Sequence, residues 1–564
     1  MIRRLARLVL VVTACISQTP LDAQNPTFDL LIRQARVYDG TGNPWFLADV
    51  GVKDGRIARI GELATATAAK TIDARGKYLA SGFIDIHSHS DEGLNSPALN
   101  HNPNVVAQGI TLVVVNQDGR SPWPIREQKA RYEKAGIGTN TALMVGHGAV
   151  RNRIMGSRAN QVATEADIKA MQALVAEGMK DGAYGLSTGL EYVPGRFSEP
   201  REVIELTRAV KPFGGFYISH ERSEGRDPMW HVASDPTPFV DLLDAVKETI
   251  AIGRETGVPV VASHLKAKGA DFWGSSHAAT RLIHEAREQG LEVYADQYPY
   301  DTSGSDGSTV LIPRWALAPP GTQVGGQLGE GGGGRVNPAE ARKHLQARLN
   351  DPAEGAKIRR DIEHEITRRG GPSRVVVYDF PDQKYVEKSI EWIARDRGIS
   401  PVDAAIWIQM NGNDRAGGAR MRGYSLSEID IEHIMQQDFT ATCTDGGTST
   451  LGEGVPHARF YGTMARKMGR YAMDRKVISV PFAVRSMTGL PAQIMRLADR
   501  GFIRTGYWAD LVVFDDSIED RATFTEPHQY PKGIPYVFVN GVAVVEQGKL
   551  TKALPGKVIT PPVR

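Results

Sequence analysis

The sequence predicts an α/β fold, a TIM-type (β/α)8 barrel carrying a small β-sandwich built from both ends of the chain. Eight short apolar runs rich in Val and Ile recur through the middle of the sequence, helical stretches lie between them, and β-like segments broken by Gly and Asp turns occupy the two ends. At 564 residues, 41% of them hydrophobic, the chain can bury one large core with smaller attachments.

In chain order, Arg3, Arg4 and Arg7 precede an apolar run over residues 8–16 and a small residue, Ala23. This is the layout of a secretory signal over residues 1–23, too short to span a bilayer. Cleavage after Ala23 would release a soluble, exported and periplasmic protein. Val12-Thr13-Ala14-Cys15 is also similar to a lipobox, whose Cys15 would instead become a lipid anchor. After cleavage only Cys443 of the 2 cysteines remains, which excludes an intramolecular disulfide. Residues 24–80 contain segments at 29–32, 49–52, 56–60 and 77–80, read as the first part of the β-sandwich. Residues 490–564 supply the second part, at 509–514, 536–540 and 542–546.

The barrel is expected over 81–304 and 431–489, with strands at 82–87, 111–115, 142–145, 182–186, 215–219, 259–263, 292–295 and 440–444. Helices over 165–177 and 278–289 carry apolar residues at three- and four-residue spacing. Runs this apolar suit a parallel sheet buried on both faces. Residues 305–430 interrupt the rhythm and include the glycine-rich stretch 321–334; they read as an insertion, a lid over the barrel mouth. With 67 basic and 65 acidic residues, the net charge of +2 gives no field to gather nucleic acid or anionic membrane and says little else about partners.

Polar residues cluster where the strands stop, the rim at which barrel active sites sit. The first strand ends His87-Ser88-His89, two imidazoles two residues apart and so on one side of an extended chain. The fifth ends in His220 and the sixth in His264. Four neutral imidazoles at three strand ends can hold one or two divalent ions, zinc first, with manganese or cobalt as alternatives. The eighth ends in Asp445, a carboxylate placed to take a proton from an activated water and return it to a leaving group. His101, His433 and His528 lack this placement, and Cys443 falls inside an apolar strand as a core residue.

This arrangement resembles the amidohydrolase superfamily, and more closely its D-aminoacylase, or N-acyl-D-amino-acid deacylase, family. The resemblance runs through ordered strings along nearly the whole mature chain: Gly82-Phe-Ile-Asp-Ile-His-Ser-His, Val145-Gly-His-Gly, Gly185-Leu-Ser-Thr-Gly-Leu-Glu-Tyr, Ser219-His-Glu-Arg, Ser263-His-Leu-Lys, Asp296-Gln-Tyr-Pro-Tyr, Thr444-Asp-Gly and His457-Ala-Arg. It implies a metal site on His87, His89, His220 and His264 with Asp445 as catalytic acid–base. It also implies hydrolysis of the amide bond of N-acyl-D-amino acids or L,D-dipeptides. Where family members carry a metal-binding cysteine after the second strand, this chain reads Asn116-Gln117-Asp118-Gly119; Asp118 falls on the cysteine's position and is expected to coordinate in its place. Glu191 is a bridging candidate.

By the same transfer, Tyr192, Lys266, Tyr298 or Tyr300, and Arg459 would hold the substrate's free carboxylate. Ser303 and Ser305 lie nearby in sequence, and Arg222 and His147 are left without a settled role. Two rival readings are a cyclic-amide hydrolase of the hydantoinase or dihydroorotase kind and a catalytically dead barrel kept for binding. The first generally uses a carboxylated lysine after the fourth strand, and residues 185–192 contain no lysine.

Overall fold

The computed structural model describes residues 27–234, 239–304, 309–319, 337–415 and 417–561. Cys15, Ser305 and the glycine-rich stretch lie outside them, as does the whole proposed signal. All eight expected barrel strands form: Phe83–Asp85, Ile110–Val115, Asn140–Gly146, Gly185–Gly189, Phe216–His220, Val260–Ala262, Val293–Gln297 and Thr440–Thr442. They pair in parallel and in sequence order. Every residue of the second strand, Ile-Thr-Leu-Val-Val-Val, is buried, because the barrel interior packs on one side and helices on the other.

The ring is closed between its first and eighth strands by side chains as well as backbone. Asp85, wholly buried, accepts hydrogen bonds from Thr444 N at 2.8 Å and Thr444 Oγ1 at 2.6 Å. Just beyond, Asp445 N donates to His87 O at 3.0 Å, and Gly446 and Gly447 pair in parallel with Ser88 and His89.

The outer helices follow the sequence pattern. Glu165–Lys180 begins at a capping box in which Thr164 and Asp167 satisfy each other's backbone N–H groups. It buries Ile168, Met171 and Val175 along one stripe.

The β-sandwich expected from the two ends forms as one continuous nine-stranded sheet folded over a shared core. Five strands precede the barrel, from Thr27–Tyr38 to Tyr78–Ser81, and four follow it, from Leu511–Phe514 to Lys549–Leu550. The halves join antiparallel at Leu511 opposite Ser81 and Val513 opposite Leu79. Ile32, Val50, Leu79, Leu511, Val513 and Phe538 meet in one cluster, so the two halves share their larger core, while Phe28, Leu31, Leu63 and Ala66 form a small one within the first half.

Between the seventh and eighth strands lie helices Pro338–Leu349, Pro352–Arg368, Ile390–Arg397 and Pro401–Asn411 and an antiparallel pair, Val375–Asp379 with Arg420–Gly423. Leu345, Ile358, Ile362, Val377, Ile393 and Ile408 give this insertion its own core. It rests on the loops after the fifth and sixth strands. There Ser234 N and Oγ both donate to Asp361 at 2.8 Å, and Trp273 Nε1 donates to Ser425 O at 2.9 Å. The insertion therefore flanks the rim where those two strands deliver their histidines.

Candidate metal centre

His87, His89, Asp118, His220, His264 and Asp445 converge at the carboxyl end of the barrel, and all but the fully buried His87 line a cavity of about 390 Å³. His87 Nε2 lies 3.3 Å from His89 Nε2, 3.5 Å from Asp118 Oδ1 and 3.6 Å from Asp445 Oδ1. His89 Nε2 is 3.4 Å from Asp118 Oδ2 and 3.2 Å from Asp445 Oδ1. On the other side, Asp118 Oδ1 is 3.7 Å from His220 Nδ1 and 3.9 Å from His264 Nε2. Asp118 thus stands between two donor groups, one of His87 and His89 and one of His220 and His264, each compact enough for one ion.

An observation independent of ligand type supports a cation here. Asp118 Oδ1 and His220 Nδ1 are buried and neither makes a hydrogen bond, so two polar atoms face each other undersatisfied. Such atoms are costly unless something between them pairs with both.

The backbone at these strand ends is unusual. Asn116, Asp118, His264 and Asp445 all have positive φ, of 66°, 57°, 36° and 45°. Non-glycine residues seldom take this conformation, and it clusters where function overrides local preference. Gly119, at φ 73°, completes the turn; a Cβ there would lie 3.0 Å from Gly189 N, so the Asp118 loop could not pack against the fourth strand with a larger residue.

Three of the four histidines have a partner for the nitrogen turned away from Asp118. His87 Nδ1 lies 2.6 Å from Ser263 Oγ, which donates to Asp296 at 2.9 Å and so accepts from the ring, leaving Nε2 as an acceptor facing the site. His220 Nε2 lies 3.1 Å from Glu191 Oε2. His264 Nδ1 lies 3.2 Å from Glu224 Oε1. Glu191, a bridging candidate by sequence, is held behind His220, and its second oxygen accepts Met229 N–H at 2.7 Å.

Charges in the cavity shift one another. Burial opposes ionisation of Asp445, but Arg459, then His264 and His89, outweigh it and hold the carboxyl well below the usual range. Burial and Lys266 disfavour charge on His264; Asp445, Asp118 and Glu224 prevail and push it up to about 9. A cation entering here would displace a proton.

The residues implied for carboxylate binding divide. Tyr192, Lys266, Tyr298, Ser303 and Arg459 line the cavity. The Arg459 guanidinium lies 4.6 Å above the Tyr298 ring and Nη1 is 2.9 Å from Asp445 Oδ2; Lys266 Nζ is 5.5 Å from the same ring. Tyr300 does not join them. Pro299 lies two residues past the seventh strand, and the Tyr300 hydroxyl donates to Asp520 at 2.9 Å, its ring edge-on to His457. Arg222 also points elsewhere, bidentate on Glu248 at 2.8 Å. His147 lies below the rim, buried, with Nε2 2.7 Å from Glu202 Oε1. Cys443 is buried and free, as expected of a core residue.

Glu224 and the Ser263–Asp296 pair escaped the sequence reading. Glu224 follows His220 by four residues in an irregular loop, where spacing carries no directional information.

A parallel barrel with imidazoles and carboxylates gathered at its carboxyl rim defines a metal-dependent hydrolase. The sequence profile of the amidohydrolase family matches residues 70–298 and 382–545, and the chain belongs to that family. It is 32% identical to an N-acyl-D-glutamate deacylase of Alcaligenes xylosoxydans xylosoxydans over 94% of this chain and 96% of the relative. Among solved structures, the N-acyl-D-glutamate deacylase of Bordetella bronchiseptica, complexed with zinc and a phosphonate mimic of the tetrahedral intermediate, superimposes with a TM-score of 0.72 at 30% identity. That match covers 95% of this chain and all of that one. A D-aminoacylase with a binuclear metal centre gives 0.71 at 30% identity, covering 94% of this chain and 100% of its own.

Proposed function

We propose that this chain hydrolyses the linear amide bond of an N-acyl-D-amino acid, or of an L,D-dipeptide, and releases a D-amino acid. The observation that carries this reading is the meeting, in one cavity, of the His and Asp cluster with Lys266, Arg459 and Tyr298. A group that cleaves amides stands beside a cationic corner able to grip a free carboxylate.

His87, His89, Asp118, His220 and His264 would hold the divalent cation, zinc in our assignment, as one or two ions. Once bound, it would polarise the scissile carbonyl and lower the pKa of a nearby water. Asp445, kept ionised by Arg459, takes the proton of the attacking water and passes it to the leaving amine. Lys266, Arg459 and Tyr298 fix the α-carboxylate, and Tyr192 closes the wall beside His220, ring centroids 4.1 Å apart. The fourth strand is followed by Glu191 and Tyr192, with no lysine to carboxylate, which favours this reading over a cyclic-amide hydrolase.

We also infer export, on the basic and apolar residues that open the sequence. Peptidoglycan-derived L,D-dipeptides are then accessible substrates. Among the described residues no helix is long and apolar enough to cross a membrane. The corresponding organisation is a sheet unit from residues 24–80 and 490–564, a barrel from 81–304 and 431–489, and an insertion over 305–430.

The test is a panel of N-acetyl-D-amino acids, N-acetyl-L-amino acids and L,D-dipeptides on enzyme stripped with chelator and reconstituted with zinc, manganese or cobalt. Turnover of D-configured substrates that disappears on stripping and returns with metal is expected. Asp445→Asn should lower kcat by about 10²–10⁴ without changing the far-ultraviolet spectrum. Metal-independent turnover, or activity confined to L-substrates, would sink the reading.

A further inference from the structure

Glu224 touches both halves of this site. Its Oε1 contacts Lys266 Nζ, lies 3.2 Å from His264 Nδ1 and is 3.8 Å from His220 Nε2. Oε2 is 3.5 Å from Lys268 Nζ. Only 5% of the residue is exposed.

With Glu191 and His220, Glu224 forms a group compact enough for a further cation. Its neighbours argue against that use. Two ammonium groups already lie against the carboxylate, so an added dication would meet their repulsion in a poorly screened interior. Glu191 is also committed to the Met229 amide.

What the geometry does provide is control of a tautomer. Lys266 Nζ lies 2.8 Å from His264 Nδ1 and can only donate to it. A ring accepting at Nδ1 carries its proton on Nε2, the nitrogen that faces Asp118, and cannot use Nε2 as a metal ligand. Glu224 is the acceptor that reverses this: it takes the Nδ1 proton as a hydrogen bond and draws the ammonium to itself. We propose that Glu224 is a positioning residue that keeps His264 Nε2 open to the cation and holds Lys266 ready for the substrate carboxylate. The second half rests on the role given to Lys266 under the proposed function; the first does not.

Zinc affinity of the stripped protein, measured by competition with a chromophoric chelator and without substrate, separates the two. Glu224→Gln should weaken zinc binding about 10- to 100-fold, the usual effect of losing a ligand's outer partner. Lys266→Met should bind zinc as the parent does, or more tightly, while KM for the best N-acetyl-D-amino acid rises at least about tenfold. The double variant should bind zinc more tightly than Glu224→Gln alone, because the competing donor is gone.

Unchanged zinc affinity in Glu224→Gln overturns the proposal. Weakened zinc in Glu224→Gln together with an unchanged KM in Lys266→Met overturns the link to substrate and the assigned role of Lys266, leaving the control of His264 standing. Should Glu224→Gln fail to fold, Glu224→Asp, which withdraws the carboxylate by one methylene, is expected to weaken zinc binding to a smaller degree and is judged by the same criterion.

Discussion

Asp118, His264 and Asp445 hold a backbone conformation that costs roughly 1–3 kcal/mol apiece, so the barrel stores strain where its donors converge. Asp118 carries the clearest consequence. Asp118→Cys should fold, bind zinc and shift the preference for zinc over manganese by about tenfold or more, since thiolate is the softer ligand; metal competition on the stripped protein checks this, and an unchanged preference would remove Asp118 from the ligand set. Lys467 offers a second test. It is 1% exposed, its ammonium donates to Thr442 Oγ1 at 2.8 Å, and burial lowers its pKa to about 7. The unfolded chain, with a lysine of ordinary pKa near 10.5, binds more protons than the folded one between pH 7 and 10. Stability from this site therefore rises with pH across that window, by up to about 1.4 kcal/mol per unit, and is lowest at pH 7 and below. Lys467→Met should be the more stable protein at pH 7 and lose most of that advantage by pH 10 in urea melts at matched ionic strength; parallel profiles would refute the assignment. Strand-end histidines were legible in the sequence because period-2 geometry and strand count place them. Tyr300 was not: a proline after the seventh strand redirects the chain toward Asp520, and residue type alone does not disclose that turn.

At the scale of elements, Asp85 makes the side-chain part of the seam between the first and eighth strands. Thr444→Val keeps shape but leaves Asp85 Oδ2 buried without its hydroxyl donor, a loss of about 1–3 kcal/mol. A lower midpoint in thermal unfolding is expected, together with a larger fall in kcat than in stability terms, because Asp445 and His87 are the next residues along the same seam. Full activity at reduced stability would show that the seam does not position the base. The eight strands themselves were readable from their apolar runs. That reading was blind to their closure, since Asp85 and Thr444 are 359 positions apart and nothing local marks them as partners. The insertion was visible as a broken rhythm, but its docking on Ser234 and Trp273 belongs to tertiary packing.

Across the whole molecule, the chain ends brace the barrel from the side opposite the site. Asp510 accepts from Asn140 and Asn540 and pairs with Arg500, while Lys557 O accepts Thr141 N–H at 2.9 Å and Thr141 O accepts Ile559 N–H at 2.9 Å. Truncation after residue 552 removes these last two bonds, a loss of about 2 kcal/mol at about 1 kcal/mol each. It should lower the unfolding midpoint and speed proteolysis at the exposed end of the third strand; an unshifted midpoint would show the tail to be dispensable. The shared sheet has a temporal meaning as well. Arg56 meets Asp499 443 positions later and Lys70 meets Glu546 476 positions later, so the strands made first must wait for almost the entire chain before their sheet can close. Loop closure of that length is slow, and a nascent chain that cannot complete its first layer stays open until synthesis is nearly over. On the export proposed above, such late locking would keep the chain threadable until it had crossed the membrane.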